Sequence, residues 1–204
     1  MYKTLPHFVL GFHGCDRNVA DNILHSGSKH LKQSQNDYDW LGNGIYFWEN
    51  NPERALQYAR QLKKHPVKGK AKIVNEAVIG AVIDLGNCLN LLETQSLQTL
   101  KASYEMLLHI HKLSGVPLPQ NSKPFGEEDD LLIRRLDCAV VEATHTYVGQ
   151  DTFNTVRGVF WEGNELYPNA GFREKNHIQI CVRNLNCIKG YFHPRKPLDS
   201  YPIP

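Results

Sequence analysis

Apolar and polar positions follow two different periods along this chain, and the switches between them mark out its elements. Phe8 to Phe12 is a short apolar run that stops at His13-Gly14 and reads as a buried strand. Val19, Ile23 and Leu24 then recur at helical spacing within Asn18 to Ser26, closed by Gly27. Ser28 to Asp39 is polar and aperiodic, a loop. Gly44 to Trp48 is a second brief strand. Asn51 is a cap for the next helix, with Pro52 at its first position and Glu53 in its first turn. That helix is expected to pass through Ala55, Leu56, Tyr58 and Ala59 and end near Lys64.

The second half reads in the same way. His65 to Lys72 is basic and turn-prone, with Pro66 and Gly69. Ile73 to Leu85 is rich in β-branched residues and predicts a strand. Leu97, Leu100, Tyr104, Leu107 and Leu108 form a helical stripe, and three prolines make Gly115 to Gly126 a loop. A further amphipathic helix is predicted from Asp130 to about Ala143, with Leu132, Leu136, Ala139 and Val140 on one face. Val156 to Trp161, Ile178 to Val182 and Ile188 to Phe192 are expected strands. Helices and strands are interspersed without strict alternation, which predicts an α+β fold.

Composition narrows the class. The chain has 204 residues, 41% apolar and 22% charged, which suits one soluble domain with an ordinary core. A formal net charge of +2 neither requires nor forbids a polyanionic partner. Cys15, Cys88, Cys138, Cys181 and Cys187 are odd in number and scattered, so reduced thiols are expected. Cys15 is read as a small packing residue. No metal site is expected, because His109 and His111 lack neighbouring acids at ligand spacing. No apolar run approaches the roughly 20 residues that span a bilayer, and Met1 to His7 carries no secretory pattern. The expectation is a cytoplasmic protein with no membrane contact.

The chemistry gathers around two signals. One is Gly11-Phe12-His13-Gly14. The other is Gly42-Asn43-Gly44-Ile45-Tyr46-Phe47, followed by the capped helix with Ala55. A lone His-Gly pair is more often structural than functional, and so is a lone strand tyrosine. The composite resembles the NAD site of the ADP-ribosyltransferase superfamily, in its poly(ADP-ribose) polymerase-like, His-Tyr-Glu branch. The match covers about Phe8 to Ala59.

The resemblance implies a split β-sheet NAD-binding fold with flanking helices, one domain over residues 1–204 with a helical insertion at about 93–145. It implies that His13 bonds the adenosine ribose, that Gly14 pairs its backbone with the nicotinamide amide, and that Tyr46 lies against the nicotinamide and its ribose. Gly44, Ala55 and Tyr58 join the NAD-binding set; the family's stacking tyrosine falls on Gln57 by count, with Tyr58 one position later. The family's glutamate position is occupied by Gln179, which can hold a hydroxyl but supplies no negative charge. Two readings stay open: Glu162, Glu165 or Glu174 supplies the charge, Glu162 being preferred because it ends a strand, or the domain binds NAD without efficient transfer.

The loop from Gly163 to Asn176 precedes the Gln179 strand and carries Tyr167, Phe172, Arg173 and Lys175, a mixture that suits an unpaired base and its phosphate. Further basic groups occur at Lys63, Lys64, Lys68, Lys70, Lys72, Arg183, Lys189, Arg195 and Lys196. The implied activity is mono-ADP-ribosyl transfer from NAD, the co-substrate, to a nucleic-acid base in preference to a protein. By analogy the setting is a bacterial toxin of a toxin-antitoxin or phage-defence system, restrained by an antitoxin protein. NAD hydrolysis and an inactive NAD-binding module are the alternatives.

Overall fold

A computed structural model describes residues 8–66, 72–123, 131–196 and 200, and shows a mixed α+β architecture with a seven-stranded sheet and four helices. In chain order the elements are β1 (Phe8–Asp16), α1 (Arg17–Leu24), β2 (Ile45–Glu49), α2 (Pro52–Lys64), β3 (Glu76–Asp84), β4 (Cys88–Asn90), α3 (Thr94–Ser114), β5 (Asn121–Ser122), β6 (Ile133–Arg134), α4 (Arg135–Val148), β7 (Thr155–Phe160), β8 (His177–Val182) and β9 (Ile188–Phe192). The sheet runs β4-β7-β8-β2-β1-β3-β9, antiparallel except for the β4–β7 pair.

The sheet is strongly joined on either side of β1 and β2, but weakly between them. Nine residue pairs link β1 to β3, whereas β1 meets β2 only through Gly11↔Glu49 and Phe12↔Trp48. Beyond that point His13 spans the gap with its ring, Nδ1 lying 2.7 Å from the Tyr46 carbonyl oxygen. The opening in the sheet is where the candidate site sits.

Alternating side chains of β2, β3 and β8 bury Ile45, Phe47, Ile79, Ile83, Ile180 and Val182 against α1. A second cluster, Leu41, Leu89, Val141, Val156 and Cys181, packs the far half of the sheet under α4. Each such aliphatic or aromatic side chain contributes about 1.5–3 kcal/mol when fully buried. Phe12, Trp48 and Ala55 form a third, smaller cluster that seats α2.

Most predicted elements lie within a few residues of the observed ones, and the differences have identifiable causes. The β3 strand begins at Glu76 rather than Ile73 because Asp16 takes the amides of Val74 and Asn75, at 2.8 and 3.0 Å. The same carboxylate caps α1 through Asn18 N–H. The helix expected from Asp130 starts at Arg135: Ile133 and Arg134 pair with Ser122 and Asn121, respectively, and the Asn121 side chain accepts from the amides of Leu136 and Asp137. Leu132 therefore precedes the helix, where its carbonyl accepts from Trp40 Nε1 at 2.9 Å. Asp130, Gly126, Lys68, Gly69, Lys70 and Met1 to His7 lie outside the described residues. All five thiols are free. Among the described residues, no helix is long and apolar enough to cross a membrane, and no group of three or more His, Cys, Asp or Glu is placed to hold a metal.

His145 of α4 is completely buried, and neither ring nitrogen has a hydrogen-bond partner. Desolvation, aided by Arg183, pushes its pKa down to about 4 from the ordinary 6.5. The unfolded chain therefore takes up a proton on acidification before the folded one does, so stability present above pH 6.5 is lost as the pH falls toward 4. Urea titrations at pH 7 and pH 4.5 are expected to differ by on the order of 2–3 kcal/mol from this residue. His145→Phe should flatten the dependence by that amount; an unchanged pH profile in the variant would show that His145 is not its source.

Candidate active-site cleft

One cleft of about 710 Å³ opens where β1 and β2 part, within the range typical of small-ligand sites. Its walls carry His13, Gly14, Gly44 and Tyr46 from the two predicted signals, and Tyr58 from α2. Glu162 and Gln179 reach it from the β7–β8 side. Residues 13, 46, 162 and 179, on four separate segments, thus share one cavity.

His13 is held in one state. A carbonyl oxygen only accepts, so Nδ1 carries the hydrogen donated to Tyr46 O, and Nε2 is left as an acceptor. Desolvation lowers the pKa of the ring, with the Tyr46 carbonyl opposing in part, which keeps the imidazole neutral at pH 7. Gly14 next to it lies against the first turn of α2. A methyl group there would overlap the carbonyl oxygen of Ala55, so only glycine allows helix and strand to meet this closely. Gly44 has a similar constraint, since a Cβ would stand 2.6 Å from Val182 O.

Tyr46 is bound at its hydroxyl as well as its backbone. Its Oη–H donates to Gly42 O at 2.7 Å, and the oxygen accepts from Leu41 N–H at 2.9 Å. Burial raises the phenol pKa well above the usual value. The ring thus serves the cleft as a surface. Tyr58, not Gln57, faces the cleft: Gln57 is exposed, while the Tyr58 ring sits 5.0 Å from that of Trp48.

Glu162 is buried and ion-paired, its Oε2 accepting from Arg54 Nη2 at 2.9 Å with both side chains about 10% exposed. Gln179 lies opposite Trp48 and Gly158 in the sheet, and its Nε2 is 3.0 Å from His177 Nε2. Glu165 and Glu174 are absent from the cleft walls. Glu165 accepts from Asn169 N–H at 2.9 Å and Glu174 is 3.3 Å from Asn164 Nδ2. Ala55, expected among the ligand contacts, is wholly buried beneath Gly14 and supports the cleft floor from behind.

Arg54, Trp48 and Asp39 are among the wall residues that the sequence pattern does not single out. Arg54 was legible only as a first-turn helix residue, although its place three residues after the Asn51 cap turns it back toward β2. Its guanidinium carbon lies 5.8 Å from the Trp48 ring centroid.

The segment after β7 carries exposed aromatic surface next to the cleft. Trp161, Tyr167 and Phe172 are each more than half exposed, and the Arg173 guanidinium stacks 3.8 Å from the Trp161 ring centroid. Lys175 from the same segment lines the cleft. Several other basic groups are matched by acids: Lys63 with Glu76, Arg183 with Glu142, and Lys189 with Asp84.

No family model matches the chain, and no solved structure matches it. It is similar to an uncharacterized protein of Methanocaldococcus jannaschii, 24% identical over 211 residues that cover 94% of this chain and 91% of the relative.

Proposed function

We propose that the cleft binds NAD and that the chain is an ADP-ribosyltransferase of the His-Tyr-Glu type, moving a single ADP-ribosyl group to a nucleic-acid base. The observation that carries the reading is the convergence of His13, Gly14, Tyr46 and Gln179 on one cavity, with His13 fixed through Tyr46 O. A transferase fold with its sheet parted at the cleft accords with the two-pair β1–β2 junction.

NAD brings its own leaving group, since breaking the bond from ribose C1′ to the nicotinamide nitrogen leaves the electron pair on a ring that becomes neutral. His13 Nε2 accepts from the far ribose. Gly14 offers backbone to the carboxamide. Tyr46 and Tyr58 confine the flat ring, and Gln179 accepts from a hydroxyl of the reacting ribose. Glu162 supplies negative charge toward the developing cation, the kind of preorganised stabilisation that accelerates rather than merely binds. An acceptor nitrogen or oxygen attacks C1′ and gives its proton to water. Exposed Trp161, Tyr167 and Phe172 beside Arg173 and Lys175 favour an unpaired base as acceptor over a folded protein surface.

Labelled NAD incubated separately with RNA, DNA and protein lysate tests the reading. Label is expected on nucleic acid; free ADP-ribose alone would make the chain a hydrolase, and no turnover would leave a binding module. His13→Ala and Tyr46→Ala are each expected to reduce turnover about 100-fold, the usual loss when a positioned substrate shifts by about 1 Å. Full turnover in both variants, with circular dichroism unchanged, would place the chemistry elsewhere.

A further inference from the structure

His177 and Gln179 stand two residues apart on β8, and side chains at that spacing share one face of a strand. His177 is buried, 6% exposed, with Phe160 at 5.4 Å and Trp48 at 6.2 Å between ring centroids. Its Nδ1 lies 2.6 Å from the carbonyl oxygen of Lys175. Since that oxygen only accepts, Nδ1 must hold the hydrogen, and Nε2 of the neutral ring is an acceptor. The Gln179 group facing it at 3.0 Å is therefore the amide nitrogen, which donates. The amide oxygen is thereby left free of the ring, on a side chain that lines the cleft.

We propose that His177 is a positioning residue that sets the hydrogen-bonding polarity of Gln179, so that Gln179 presents its oxygen, and not its nitrogen, to a ligand hydroxyl in the cleft. The inference rests on the NAD reading only for the identity of that hydroxyl, a ribose one. An oxygen accepting from it pushes electron density toward the carbon that becomes positive. A nitrogen donating to it withdraws that density. Either orientation would hold the ribose, but only the first favours the reaction.

One proton on His177 reverses the arrangement. With both ring nitrogens protonated, Nε2 becomes a donor, and Gln179 must rotate its oxygen toward the ring and its nitrogen toward the cleft. Of the charged groups that act on the ring, Glu162 favours that proton and Arg54 opposes it, and the two are paired with each other; Lys175, two residues before it, also lines the cleft. Burial dominates and holds the His177 pKa below the ordinary histidine value, so the productive orientation prevails at neutral pH.

Two measurements test this. In the whole protein labelled with ¹⁵N-histidine, the His177 signal, assigned by its loss in His177→Gln, is expected as the Nδ1–H tautomer at pH 7.5. On acidification the Gln179 side-chain amide should shift with the same midpoint. In steady-state kinetics, kcat should fall on a one-proton acid limb while KM for NAD stays within about twofold. His177→Ala should lower kcat about tenfold at pH 7.5, the value of one net hydrogen bond. His177→Gln, whose oxygen can replace Nε2, should restore most of it and flatten the limb. An Nε2–H tautomer, a Gln179 amide indifferent to His177 titration, or an acid limb that persists in His177→Gln overturns the proposal. Failure of the wild type to turn over NAD overturns the transferase reading instead, and the ¹⁵N measurement then decides the orientation of Gln179 alone.

Discussion

Glu162→Gln is expected to lower kcat by about 10²–10³-fold while leaving KM for NAD nearly unchanged, the signature of a contact that strengthens only as charge develops. The substitution keeps shape and keeps an oxygen that can accept from Arg54 Nη2, so what it removes is charge. Glu162 is the one member of the three candidate glutamates that reaches the cleft, and Gln179 brings no charge of its own. Stability will fall too, because the Arg54 guanidinium is left buried without a counter-charge; breaking such a pair costs about 3–5 kcal/mol. Arg54→Gln separates the two effects. It removes the same ion pair but spares the carboxylate, and so should match the loss in melting temperature while losing far less turnover. Equal kcat in wild type and Glu162→Gln, with both saturable by NAD, would take the catalytic charge away from this residue.

Gly14→Ala is expected to be strongly destabilising, since among the described glycines an added Cβ meets its closest neighbour here. The added carbon would overlap the Ala55 carbonyl and press on its carbonyl carbon and on Ala59 Cβ, at 2.9 and 3.1 Å. Two of those three neighbours are backbone atoms, so no rotamer change relieves the clash, and α2 must lift from β1. Overpacking of this kind costs about 1–3 kcal/mol and more where backbone must move. At roughly 2–4 °C per kcal/mol for a chain of this size, a cost of about 3 kcal/mol lowers the melting temperature by about 6–12 °C. The cleft widens with it, so NAD affinity should drop in parallel. Gly27→Ala is the control: a Cβ there meets nothing within 4 Å, and its melting curve should overlay the wild type. Matching curves for Gly14→Ala and Gly27→Ala would refute the close-packing account of Gly14.

What was legible from the residues was local. Asn51, Pro52 and Glu53 announce α2 because a cap, a fixed φ and a first-turn acid act within one turn of helix. The His13-Gly14 and Gly44 to Tyr46 signals were visible because glycine next to an aromatic or imidazole is uncommon inside strands. What escaped notice depends on distant partners. Three-residue β4 has no pattern of its own and is a strand only because β7 lies parallel to it. The start of α4 is set by Asn121, 15 residues away from Leu136, and the start of β3 by Asp16, 58 residues from Val74. Arg54 joins the cleft through Glu162, which is 108 residues further on. Periodicity carries no information about such pairs.

The hydroxyl of Tyr46 has a consequence for the kind of chemistry this cleft can host. Fastened to Gly42 and Leu41, the phenol is a rivet between strand and loop, its one proton committed to a backbone carbonyl. A departing fragment that needed a proton from that ring would have to break the bond to Gly42, whereas a fragment that departs already neutral asks nothing of it.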